Sequence, residues 1–150
     1  MNLHTLLTGD EFTKLCDEAV ANGFYRNDRR ILLPGMAWEC PWIFDPSGER
    51  ERNGKYVMIK ESQRGQLGHL SQHYWDDWSR IRPPMVVVCP NGEEWEIDRK
   101  SSNGTGWTVT GEFPALTAMP SIVVRGYHGW LKNGEFSHDL EGRGPSGVSR

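Results

Sequence analysis

Three turn signals after residue 80, Pro90-Asn91-Gly92, Ser102-Asn103-Gly104 and Lys132-Asn133-Gly134-Glu135, cut the second half of the chain into pieces too short for helices. Between the turns the residues run in strand-like patterns. Residues 85–89 follow Pro83-Pro84 as a buried strand candidate, and 94–98 (EWEID) and 106–110 (GWTVT) alternate apolar with polar side chains. Residues 122–125 and 126–131 continue the meander, and the last turn leads into Phe136. About five or six strands within roughly fifty residues cannot bury themselves as one flat sheet, so a small antiparallel sandwich or rolled sheet is predicted.

The first half reads differently. Thr8 and Glu11 have capping-box spacing, and Leu7 and Phe12 sit at the staple positions around that cap. Phe12, Leu15, Cys16, Ala19 and Val20 recur on one helical face, and Gly23 is placed to stop the helix. An amphipathic helix over about 9–22 follows. Residues 26–55 lose periodicity and read as a long loop or a ragged pair of strands, 56–60 (YVMIK) as a short strand, and 67–78 as a short helix through Leu67, Leu70, Tyr74 and Trp78. The whole predicts one α+β domain over 1–150: an N-terminal helix and irregular extension to residue 80, a β-meander core over 81–138, and a polar tail over 139–150. Seven Trp, 17 Gly and nine Pro in 150 residues agree with many short elements, tight turns and indole-rich packing.

Several function classes are disfavoured. The net charge is −3 and its signs are spread evenly along the chain, so no basic arm is present to neutralise phosphates, and a nucleic-acid partner is not expected. The longest apolar run, residues 85–89, falls far short of the ~20 residues of a bilayer-crossing helix, so no membrane partner is expected either. The opening residues lack the basic and apolar regions of a secretory signal, and three widely spaced cysteines, Cys16, Cys40 and Cys89, point to a reducing compartment. No Walker loop, GxSxG elbow, HExxH or EF-hand pattern occurs, and the adjacent Asp76 and Asp77 diverge on a helix rather than forming an acid–base pair.

Two sets of side chains remain as candidate sites. His69 and His73, spaced four apart, would project from one helical face at a separation a divalent metal can bridge. Trp75, Trp78, Trp95 and Trp107 could form an aromatic platform for a sugar ring; packing in the core is the alternative for the same indoles.

The order VVVCPNGEEWEID, GWTVTGEFPALTAMPSI and YHGWLKNGEF, over about 82–136, resembles the DUF6527 family of small phage and bacterial domains, often labelled ammonia monooxygenase in phage genomes. The resemblance implies a small β-rich unit, and many members carry Cys and His residues suggestive of a structural zinc site. Cys89 and His128 stand where two such ligands would be expected, while Asn91, Gly92 and Tyr127 occupy places where further thiols would be needed. His69 and His73 are the residues that could complete the set. The reading that follows is a non-enzymatic phage-type protein without a cofactor, acting through a protein partner, a homo-oligomer or a large assembly. It would be a virion component such as a decoration or connector protein, or a host-interaction or anti-defence factor in the host cytoplasm. The alternatives are a zinc-binding domain, structural or hydrolytic, and a Trp-based carbohydrate-binding module.

Overall fold

A computed structural model describes residues 1–45, 53–59, 72–101 and 104–142. The described residues form an α+β, β-rich fold of one helix and two open four-stranded sheets. In chain order the elements are β1 (Thr5–Leu7), α1 (Gly9–Ala21), β2 (Met36–Glu39), β3 (Met85–Val88), β4 (Glu94–Glu96), β5 (Thr108–Thr110), β6 (Thr117–Val124), β7 (Tyr127–Lys132) and β8 (Glu135–Phe136). The first sheet runs β1-β2-β3-β4 and the second β5-β6-β7-β8. Every pairing is antiparallel except β1 with β2.

Side-chain alternation stacks these elements in three layers. Ala37, Val87 and Trp95 of the first sheet share a core with Ala118, Ile122 and Leu131 of the second. The intervening residues Trp38, Val86 and Val88 face the other way, into a core with Phe12 and Cys16 of α1. The first sheet is therefore the middle layer, and all four residues of β3 are buried. Burying such side chains contributes roughly 1.5–3 kcal/mol each, which explains why an uninterrupted apolar run sits at the centre.

The helix forms where the capping pattern predicts it. Glu11 N–H donates to Thr8 Oγ1 at 3.1 Å while Thr8 N–H donates to Glu11 Oε1 at 2.9 Å. At the other end Gly23, with φ +85°, lets Phe24 N–H reach Ala19 O at 2.9 Å and Gly23 N–H reach Val20 O at 3.1 Å, the two bonds of a Schellman stop. Phe12, Cys16 and Ala19 face the sheet; Val20, assigned to the same face from spacing, lies outward at 51% exposure.

The N-terminal residues tie the sheets together. Leu3 N–H donates to Gly134 O and Phe136 N–H to Met1 O, so residues 1–3 line the edge of β8. Two residues later Thr5 pairs with Met36, and the same segment has become β1 of the other sheet. The crossing is tight. A Cβ on Gly35 would come within 2.6 Å of Asn2 O, and its φ of +88° already favours glycine.

Other elements depart from expectation. The first sheet takes strands from both sides of residue 80, so the N-terminal half and the meander share it. Of the expected strand at 56–60, Met58 pairs with Phe44 as an isolated bridge, and residue 60 lies outside the described residues. The expected helix at 67–78 is described only from residue 72, as a 3-10 turn over Gln72–Trp75. β6 begins at Thr117 rather than 122. Pro120, which has no N–H to donate, sits where the register with β7 slips between Ala118 and Ile122, and this break disguised the strand. No helix among the described residues is long and apolar enough to cross a membrane.

Candidate functional site

Three of the four tryptophans singled out from the sequence are packing residues. Trp75 and Trp78, at 1% and 3% exposure, fill the helix-side core, and Trp95, at 3%, fills the core between the sheets. Trp107 packs edge-on against Trp95, with ring centroids 5.2 Å apart, and is only partly buried. It lines a cleft of about 360 Å³ with Ile81, Val109, Glu112 and the Arg82–Asp98 pair. That pair is bidentate at 2.8 Å, and Asp98 also accepts from Met85 N–H, so its charges serve to anchor the start of β3.

The candidate metal ligands are dispersed. Cys89 is buried between the sheets beside Tyr127, where burial pushes its thiol well above the ordinary range. His128 is the next residue after Tyr127 in β7, so its side chain projects to the opposite face. There it meets Ser121 Oγ at 3.4 Å and Glu141 Oε1 at 3.7 Å, which keeps it apart from Cys89. His69 and the side chain of His73 lie outside the described residues. Among the described residues no three His, Cys, Asp or Glu side chains gather in a way that would hold a metal ion.

Two other surfaces carry features that a ligand or partner could use. The first lies on the helix side of the first sheet, where cavities open around Asn27 between α1, the loop after it, the turn after β2 and the outer strand β4. A cavity of about 590 Å³ is lined by Phe12, Thr13, Arg26, Asn27, Pro41 and Trp42. A neighbouring cavity of about 220 Å³ is lined by Asn27, Trp38, Trp42, Val86, Glu94 and Glu96. A third, of about 100 Å³, shares Asn27 and Glu94 and runs on to Arg29 and Glu93. Asn27 is the hinge of all three. Its φ of +58° turns the chain, and its amide donates to Glu94 Oε1 at 2.9 Å.

Sheet register explains the floor of these cavities. Trp38 pairs with Val86 and Val86 with Glu96, so one row places an indole, an aliphatic side chain and a carboxylate on the same face. Val88 and Glu94 form the next row. Partial burial pushes the Glu94 carboxyl above its ordinary range, the Asn27 amide pulls it down, and Glu96 and Glu93 push it further up. The arginines nearby are matched: Arg26 to Asp17 at 2.6 Å, Arg29 to Glu93 at 2.6 Å and Arg99 to Glu96 at 3.2 Å. Among the described residues the buried Trp38 indole N–H has no acceptor, nor does that of Trp95 in the other core.

The second surface is the outer face of the second sheet, on which no third layer lies among the described residues. Met119 and Val123 project from β6 at 46% and 70% exposure, and Trp130 stands half-buried on β7 with Lys132 Nζ 5.5 Å from its ring. His128 and Ser121 share this face.

Residue spacing did not single out Trp42, Asn27 or Glu94. One signal could have found Trp42: it follows Pro41 inside a turn, where an indole has fewer neighbours to cover it than in a strand. A scan against protein-family models finds no match for this chain, and searches of curated proteins and of solved structures find none either.

Proposed function

We propose that this protein acts by contact rather than by chemistry at a reactive centre. In this reading it is a phage-type binding protein, a virion component or a factor that docks on a host protein, and the outer face of the second sheet is its contact surface. The supporting observation is Val123, 70% exposed near the hairpin end of a sheet face that also carries Met119 and Trp130. Exposed aliphatic side chains beside an aromatic one, with polar residues around them, are the composition of a protein–protein patch. The phage assignment rests on the likeness of 82–136 to DUF6527 domains.

Size-exclusion chromatography with light scattering tests the contact reading, run on the native protein and on a Met119→Lys, Val123→Lys variant, each alone and with purified capsids. Self-association or capsid binding by the native protein that the double variant loses, with its circular dichroism unchanged, supports it. A native protein that stays monomeric and leaves capsids untouched, or binding that the variant retains, overturns it.

A further inference from the structure

We infer that the open edge of β5 and the cleft beside it dock an extended basic segment of a partner protein, one lysine or arginine side chain of which seats in the cleft. This site is separate from the outer face of the second sheet. β5 is an end strand: Thr108, Val109 and Thr110 pair with β6 on one side, and no other backbone hydrogen bond reaches them among the described residues. An end strand offers its remaining N–H and C=O groups to another extended chain. The turn after β5 holds that edge in place. Gly111 has φ +83°, a Cβ there would come within 2.5 Å of Ala115 O, and Ala115 N–H donates to Glu112 O at 2.7 Å. Glu112 is thus presented to the cleft by a turn with little room to move.

The cleft selects the side chain. Its apolar wall is Trp107, braced by Trp95 at 5.2 Å and 79°, together with Val109 and the 61%-exposed Ile81. Its remaining charges are of one sign. Arg82 is taken up by Asp98 and by Pro83 O, whereas Asp77 and Glu112 meet no basic side chain among the described residues. Lys100 passes close, since a Cβ on Gly106 would meet its Cγ at 3.6 Å and Asp77 Oδ2 at 3.4 Å, yet the two form no ion pair. An anion is repelled by such a cleft, and no three metal-ligating side chains gather there among the described residues. A basic side chain matches both halves: its methylene stem covers Ile81 and Val109, and its charged head faces the carboxylates and an indole ring. The net charge of −3 adds a longer-range attraction for a basic partner.

The experiment titrates ¹⁵N-labelled full-length protein with a blocked pentapeptide, Thr-Val-Arg-Val-Thr, and with the same peptide carrying citrulline, an uncharged isostere, in place of arginine. Each is taken to about 5 mM, enough to populate a site of millimolar affinity. The arginine peptide should shift the Trp107 indole resonance and at least one backbone amide of residues 108–110 together and saturably. The citrulline peptide should bind about tenfold more weakly, and so should the arginine peptide to an Asp77→Asn, Glu112→Gln variant. Glu18→Gln, which removes one charge from an exposed helix position, should leave affinity within about twofold. Variant spectra with native dispersion show that each variant is folded. The inference is overturned if neither set of resonances moves, or if citrulline or the double variant costs nothing. It is overturned equally if agmatine, a guanidinium without a peptide backbone, binds as well as the peptide while the β5 amides stay still, which marks a small-cation pocket. Shifts of those amides with protein concentration alone would assign the edge to a second copy of the chain instead. Capsid binding is read through Met119 and Val123, so it succeeds or fails independently of this result.

Discussion

The two sheets are alike in size and unlike in what covers them. The first is packed on both faces, with Trp38, Val86 and Val88 against the helix and Ala37, Val87 and Trp95 against its neighbour. The second is packed on one: Tyr127, Gly129 and Leu131 point inward along β7, and His128, Trp130 and Lys132 point away. Stability is thus concentrated in the first sheet, where a side chain removed leaves a hole. The second sheet's outer face is free to vary, or to recognise something, at little cost to the fold.

Substitutions in each sheet put that contrast at risk, and Trp38→Ala should have the largest effect. Trp38 is fully buried, and its loss should lower unfolding free energy by about 4 kcal/mol, read as a shift of the urea midpoint. A cost near zero would mean that the middle layer is not packed as described. Asp98→Ala comes next, at about 2 kcal/mol by the same measurement, because it strands both Arg82 and the Met85 N–H at the entrance to β3. Partial exposure of Arg82, at 26%, keeps this below the cost of breaking a fully buried pair. Thr8→Ala should remove about 1 kcal/mol through the lost cap. On the bare face Val123→Thr should change stability by less than about 0.5 kcal/mol; a larger loss would show that something covers that face.

The smallest effect concerns sign. Asp28, held by the Arg30 guanidinium and by the backbone N–H groups of Arg30 and Tyr25, has its carboxyl kept well below the usual range. A depressed acid stabilises the fold above its unfolded pKa and loses that contribution as protons return. The Tm gap between native protein and Asp28→Asn should therefore be steady from pH 7 to about 5 and narrow once the pH falls below about 4. A gap that widens in acid would contradict the pairing.

What the sequence disclosed follows from the same contrast. A sheet with one bare face writes alternation into its strands, and β7 and the turn at Asn133-Gly134 are readable for that reason. α1 was readable through Thr8, Glu11 and Gly23, each tied to a specific backbone bond. β2 left no such trace: Met36, Ala37 and Trp38 are all buried, on alternate faces, so its pattern has no polar phase. β1 is three residues long and runs straight into the helix cap. The cavities around Asn27 were hidden further, because Trp42 and Asn27 lie in turns and meet Glu94 only through pairings between distant segments.

The crossing at the N-terminus has a consequence for synthesis. Residues 1–3 leave the ribosome long before their partners at 134–136, so until the last hairpin emerges each lacks the strand that caps it. The β8 edge then closes by one of the most distant pairings in the chain, which carries a large loop-closure entropy. The strands β5–β8 are contiguous in sequence and can pair before that closure, so a partner of their outer face needs only the last third of the chain, while the tie between the two sheets needs both of its ends.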